Sequence, residues 1–109
     1  MKKTIVITIA CLLVAVASGR AAEAKENWEK NCLKCHGPDG KGDTKMGKKL
    51  EVKDYTDAKV QAEMKDEEMF KIIKEGKKDG DKTKMKAYGG EISEAEIKAL
   101  VAYVRAFKK

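Results

Sequence analysis

The residues best suited to chemistry stand together in one short segment. Cys32, Cys35 and His36 form a Cys-x-x-Cys-His motif, in which x is any residue. Two thiols at this spacing can add to the two vinyl groups of one haem, and the adjacent imidazole then lies against the iron. The motif therefore predicts one covalently attached haem c, bound through Cys32 and Cys35, with His36 as an iron ligand.

Two other kinds of site use cysteines at this spacing. A thioredoxin-like redox pair is expected to follow a strand and to begin a helix, whereas here a predicted helix precedes the cysteines and a glycine-rich loop follows them. A structural zinc site needs four ligands, and without its leader the chain offers only Cys32, Cys35 and His36. Both alternatives fit the sequence less well than haem attachment.

The second axial ligand of such an iron cannot be another histidine of the same chain, because His36 is the only one. A lysine, water or a methionine can occupy that position, and methionine raises the reduction potential. Met46 follows His36 closely and is expected on the same side of the ring. Met64 and Met69 fall on apolar helical faces, where they are expected to fill the core. Met85 stands in a polar loop, 49 residues after His36, so we predict Met85 as the second ligand.

The elements that must position these residues are predicted to be helical. Low aromatic and proline content with abundant Lys, Glu and Ala favours an all-α, single-domain fold of three helical blocks and two glycine-rich loops. A first helix from about Lys25 to Cys35 places Trp28 and both cysteines on one face. The segment from His36 to about Tyr55 is expected to wrap around the site, and residues 77–90 form the second loop.

Caps and apolar periodicity predict the remaining helices. Thr56 and Asp66 each resemble N-caps, the second for a helix that ends at Gly76. Ser93 and Glu96 form a capping box for the last helix. The apolar stripe of this helix consists of Ile97, Leu100, Val101, Val104 and Phe107.

The start of the chain has the layout of a secretory signal peptide. Lys2 and Lys3 precede an apolar run over residues 5–17, which at roughly 13 to 15 residues is too short to span a bilayer. Lipid modification of Cys11 is disfavoured because this residue lies inside the run. Cleavage is predicted after one of three small residues, Gly19, Ala21 or Ala24, and the mature protein is expected in the periplasm.

Composition limits the partners. Residues 1–24 are taken as the signal peptide and 25–109 as one domain, since 109 residues exclude a multidomain enzyme. The mature domain keeps 21 of the 24 basic and 17 of the 18 acidic residues, a formal charge of +4. Both signs are interspersed, unlike a nucleic-acid-binding arm. We expect protein partners, no nucleic acid and no membrane span after processing.

The chain resembles the class I cytochrome c family, particularly small bacterial monohaem electron carriers, over residues 28–107. The haem motif carries this resemblance, together with Trp28 one turn before it and Tyr103 at the last helix's crossing of the first. Met85-Lys86-Ala87-Tyr88 is similar to the family's Met-Pro-Ala-Phe ligand loop, with lysine in place of proline. The family also implies a loop carbonyl that orients His36, which no residue here identifies.

The resemblance implies a class I cytochrome c fold with His36 and Met85 as axial ligands. It implies a soluble, monomeric carrier of single electrons between a donor and an acceptor protein, and not an enzyme. The chain lacks the second histidine that a peroxidase would use as its acid–base partner. The alternative function is a haem c subunit bound permanently to a dehydrogenase or oxidase complex. Partners are expected to present acidic surfaces to the lysines flanking the haem edge, namely Lys34, Lys41, Lys82, Lys84 and Lys86.

Overall fold

The computed structural model describes residues 22–109, which form five helices and one β-hairpin. In helix α1, residues 22–27 are α-helical, Trp28–Cys32 form a π-helical turn, and Leu33–His36 return to α-helix. The elements that follow are α2 (Lys45–Leu50), α3 (Ala58–Glu63), α4 (Asp66–Glu75), β1 (Lys77–Asp79), β2 (Lys82–Met85) and α5 (Glu94–Arg105).

The helical prediction is confirmed, with the hairpin as an addition to it. Cys11 and the predicted signal peptide up to residue 21, including the predicted cleavage sites after Gly19 and Ala21, lie outside the described range. Within residues 22–109, no helix has the length and apolar character needed to cross a bilayer.

The core lies where α1, α4 and α5 meet. Ile97 and Leu100 of α5 are its most deeply buried side chains. The Trp28 ring lies 5.5 Å from Tyr103 and 5.0 Å from Phe107, measured between ring centroids. The predicted crossing of the first and last helices at Trp28 and Tyr103 is therefore confirmed.

The helix caps are partly as predicted. Ser93 and Glu96 form the capping box of α5, and Gly76 ends α4 with φ at 80°. Thr56 is not an N-cap, because its hydroxyl donates to the Asp54 carboxylate over 2.6 Å, and Asp57 caps α3 instead.

Asp66 is the first helical residue of α4 and not its cap. Its carboxylate accepts a hydrogen bond from Arg105 Nε over 2.8 Å, so it is engaged with α5. Lys65 occupies the N-cap position without a side-chain capping bond.

The segment between His36 and Tyr55 packs more tightly than predicted, because it contains α2. The Thr44 hydroxyl accepts from the Gly47 N–H and caps this helix. It also donates to carbonyls at the end of α1, 2.8 Å from that of Lys34 and 3.0 Å from that of Cys35. Helix α2 is thereby fixed beside the haem motif.

Residues 77–85 form an antiparallel hairpin where a loop was predicted. Lys77 pairs with Met85 and Asp79 with Lys82, with a bulge after Lys77. A Cβ at Gly76 would lie 2.7 Å from the Met85 carbonyl oxygen. The hairpin therefore returns the chain to the end of α4 and places Met85 there.

Candidate haem-binding site

His36 ends α1 as a buried side chain with two aromatic neighbours. Its ring is stacked on Tyr55, with centroids 5.3 Å apart and planes 25° apart. The Trp28 ring lies 5.6 Å away at 39°. Trp28 is itself anchored, because its Nε1–H donates to the Gly37 carbonyl over 2.9 Å. The imidazole thus lies between fixed parts of the fold.

The chemistry of His36 suits metal ligation. Burial lowers the pKa of the imidazole, which favours the neutral form that binds metals. Its Nδ1 is buried and has no hydrogen-bond partner within residues 22–109. A buried, unpartnered polar atom is costly and calls for an explanation. No described carbonyl takes the orienting role that the family resemblance implied.

The two cysteines lie one turn apart at the end of α1. Cys32 closes the π-helical turn and Cys35 lies in the last α-helical turn, and both are free and half-buried. Burial, with a smaller contribution from Cys35, raises the pKa of the Cys32 thiol to about 11. A raised pKa disfavours the nucleophilic thiolate, so Cys32 does not have the environment of the attacking thiol of a redox pair.

The described residues contain no group of side chains that could bind a metal ion without a haem. No three His, Cys, Asp or Glu side chains within residues 22–109 lie close enough together to hold a metal ion. The zinc alternative is therefore without ligands in the described part of the chain.

Met85 ends β2 half-buried and packs against the core. The neighbouring Lys84 reaches α2, where its Nζ donates to the Leu50 carbonyl over 3.2 Å. This bond links the hairpin to the segment that covers the haem motif.

The residues after Met85 are tied to two further helices. The Tyr88 hydroxyl donates to the Asn31 carbonyl of α1 over 2.9 Å, one residue before Cys32. The Tyr88 N–H donates to the Ile73 carbonyl of α4, also over 2.9 Å. The predicted ligand loop is therefore held against the cysteine-bearing helix.

The other methionines occupy different places. Met69 belongs to the core, and Met64 follows the end of α3 in extended backbone, half-buried against that core. Met46 lies in α2, on the segment attached to the carbonyls of Lys34 and Cys35. Met69 fills the core as expected, whereas Met64 was expected on a helical face and lies just beyond α3.

The lysines expected at the haem edge fall into two groups. Lys84 donates to Leu50, and the Lys86 ammonium lies 2.6 Å from the Glu91 carboxylate, so both are engaged within the fold. The other three, Lys34, Lys41 and Lys82, are exposed and form no ion pair within the described residues. Sequence alone did not separate these groups.

Two residues near the site were not identified from the sequence. Tyr55 had been noted only as a loop boundary, yet its ring stacks on His36. Gln61, a polar residue in a short helix, is buried beneath Tyr55 and bonds to its carbonyl. No pattern in the sequence signals either contact, because both depend on the tertiary fold.

The described residues fit a covalent haem. Two free cysteines precede a buried imidazole, and a methionine-bearing segment is bonded to the same helix. Cys32 and Cys35 would hold the porphyrin, and His36 would bind the iron. The group so bound supplies reversible one-electron oxidation and reduction.

Comparisons with known proteins identify the class to which the chain belongs. The family model described as cytochrome c oxidase, cbb3-type, subunit III, matches residues 19–104. The structure of the KustC0563 c-type cytochrome is 34% identical with a TM-score of 0.70, covering 79% of this chain and 98% of that one. A mutant of that cytochrome, with one tyrosine replaced by phenylalanine, is 32% identical with a TM-score of 0.69, covering 79% and 99%. A comparison with curated proteins gives no match.

Proposed function

Since the chain belongs to the cbb3-type cytochrome c oxidase subunit III family and is a small c-type cytochrome with covalently bound haem c, we propose that it is a soluble periplasmic electron carrier. The observation that carries the proposal is the buried His36 imidazole, which directly follows the two cysteines and lies between the Trp28 and Tyr55 rings. Burial in an aromatic environment excludes water from the imidazole, and an electron carrier needs no bound substrate beyond its redox partners.

His36 and Met85 are the axial ligands in this proposal. The attachment of the Met85 segment to α1 through Tyr88 supports the assignment. We expect Met85→Ala to lower the reduction potential and to abolish the sulfur-to-iron charge-transfer band, because a soft thioether ligand is lost.

Met64→Ala is the matched control, since Met64 is also half-buried against the core. It should keep the charge-transfer band and lose only stability. If Met64→Ala abolishes the band and Met85→Ala retains it, the ligand assignment is wrong.

The carrier candidate starts from the resemblance to the KustC0563 protein, which is described as a c-type cytochrome and of which this chain covers 98%. The name of the family model favours a second candidate, a haem c subunit held permanently in an oxidase complex.

Extraction from the native host separates the two candidates. A carrier should be released with the periplasmic fraction and migrate alone on gel filtration. A permanent subunit should stay with a membrane complex through mild detergent extraction, and that result would reject the carrier proposal.

Export is part of the proposal, with cleavage after Gly19, Ala21 or Ala24. The motivation is the leader's layout, since haem attachment of this kind is found in exported proteins. N-terminal sequencing and intact mass of the haem-loaded protein should give one of these three ends. A mature protein that still begins at Met1 would contradict cleavage.

A further inference from the structure

Gln61 is a buried polar side chain, 4% exposed, whose amide is fully hydrogen-bonded. Its Nε2 donates to the carbonyl of Tyr55 over 2.7 Å and to that of Val104 over 2.9 Å. Its Oε1 accepts from Arg105 Nη1 over 3.0 Å. Both amide protons and the oxygen are used, so these partners fix the orientation of the side chain.

The Tyr55 backbone is held from both sides as a result. Its N–H donates to the Gly40 carbonyl over 2.8 Å, and its carbonyl accepts from Gln61. The Tyr55 ring is the one stacked on His36, at 5.3 Å and 25°. One residue therefore connects the Gln61 amide to the histidine of the haem motif.

The His36 ring depends on this packing for its orientation. A ligating histidine ordinarily donates its second ring nitrogen to a carbonyl or carboxylate, which fixes the plane of the ring. Nδ1 of His36 has no such partner within residues 22–109. Its aromatic neighbours, Trp28 and Tyr55, take over this role. The Trp28 indole N–H donates to a backbone carbonyl, and the Tyr55 carbonyl accepts from the Gln61 side chain.

We propose that Gln61 is a positioning residue for the axial histidine. Through the Tyr55 carbonyl it fixes the Tyr55 ring against His36 and so sets the rotation of the imidazole plane. The inference rests on the proposed function, because it takes His36 as the axial ligand. The orientation of an axial imidazole governs how unpaired spin is distributed over a ferric haem, and this distribution is measured by the NMR shifts of the haem methyl groups.

Two substitutions remove the donors that hold Tyr55. Gln61→Met keeps the length of the side chain without any polar atom. Gln61→Glu retains an oxygen for Arg105 but has no N–H for the carbonyls of Tyr55 and Val104, so it separates the two sets of bonds. Ser93→Ala is the control, because it weakens the cap of α5 without touching Tyr55 or His36.

The experiment compares haem-methyl hyperfine shifts, reduction potentials and melting temperatures of the haem-loaded full chain. We expect both Gln61 variants to change the shift pattern and the potential, while Ser93→Ala lowers only the melting temperature. In a Tyr55→Leu background, Gln61→Met should cause no further change in the pattern, because the contact through which it acts is gone.

A purely structural role predicts a different result. If the Gln61 variants lower the melting temperature as Ser93→Ala does and keep the wild-type shift pattern, the positioning role is overturned. Failure of the proposed function is recognised separately in the wild type. A wild-type protein whose His36 ring protons lack hyperfine shifts would show that His36 is not the ligand, and both proposals would fall.

Discussion

Gly47 approaches the Cys35 carbonyl so closely that a Cβ at this position would overlap the oxygen. We expect Gly47→Ala to push α2 away from α1 and to destabilise the protein by about 1–3 kcal/mol, as overpacking does. This exceeds the gain of roughly 1 kcal/mol that alanine offers over glycine inside a helix. Urea unfolding of the haem-loaded protein measures the difference.

Gly90→Ala is the matched control, because a Cβ at Gly90 meets no described atom within 4 Å. It should leave the unfolding midpoint close to that of the wild type. Equal midpoints for both variants would mean that α2 does not pack on Cys35 as described.

Glu96 links protonation to stability at the start of α5. Its carboxylate accepts from the Ser93 N–H over 3.0 Å and from Asn27 Nδ2 over 2.9 Å. These bonds, that from the Ser93 backbone first, lower the pKa of Glu96 below its ordinary 4.5. The charged form is therefore favoured in the folded state, and its contribution to stability is present above 4.5 and disappears as the pH falls through the folded-state pKa.

Glu96→Gln tests this dependence. We expect the variant to be less stable than the wild type at neutral pH, and the difference to vanish in acid below the folded-state pKa. Unfolding midpoints measured across this range give the answer. A difference that stays constant with pH would assign the loss to amide geometry and not to charge.

Lys84 ties the hairpin to α2 through the Leu50 carbonyl, and so connects the two segments that bear Met85 and cover the haem motif. We expect Lys84→Met to cost on the order of 1 kcal/mol and to let added imidazole displace the proposed ligand, Met85, from the ferric iron more easily. A spectroscopic imidazole titration measures this. The apolar part of the lysine side chain is retained in methionine, so packing is preserved.

The control is Lys82→Met on the same strand, where the side chain is exposed. It should bind imidazole with wild-type affinity. If both variants gain affinity equally, loss of charge and not loss of the Leu50 bond is responsible.

Local sequence signals predicted the ends of a helix correctly where the capping residues lie within a few positions of that end. Ser93 with Glu96, and Gly76, specify caps within a few residues of chain, and both are confirmed. Thr56 and Asp66 were assigned wrongly because their oxygens bond to Asp54 and Arg105. Asp66 and Arg105 are 39 residues apart along the chain, so a local sequence pattern cannot predict the bond between them.

The hairpin and α2 were missed because glycine and lysine dominate both segments. Helix α2 forms on Thr44 and on contacts with the end of α1. The haem motif, in contrast, is fully local, so the sequence alone predicts Cys32, Cys35 and His36 as the residues that hold the haem. Their aromatic surroundings could not, since Tyr55 reaches His36 only through the fold.

The charge of the whole molecule bears on its encounter with partners. Lys84 and Lys86 are engaged with Leu50 and Glu91. We therefore expect the exposed Lys34, Lys41 and Lys82 to provide most of the attraction to an acidic redox partner. At physiological ionic strength the Debye length is about 8 Å, and such attraction acts mainly on the encounter rate. Second-order electron-transfer rates should therefore fall as salt is added.

Charge reversal locates the effect. Lys82→Glu should flatten the salt dependence strongly, Lys86→Glu less, and Lys98→Glu, on the exposed side of α5, least of all. Stopped-flow measurement with one acidic partner protein compares the three. Rates that ignore salt, or rise with it, would indicate an apolar docking surface.

The π-helical turn at Trp28–Cys32 accommodates one residue more than an α-helical turn would. Each residue of an α-helix rotates the chain by about 100°, so this extra residue sets the angle between the indole and the cysteines. Deletion of one residue here, at the exposed Glu29 or Lys30, would turn this segment into a continuous α-helix. Such a helix could either bury Trp28 against α5 or direct Cys32 towards the porphyrin, but not both.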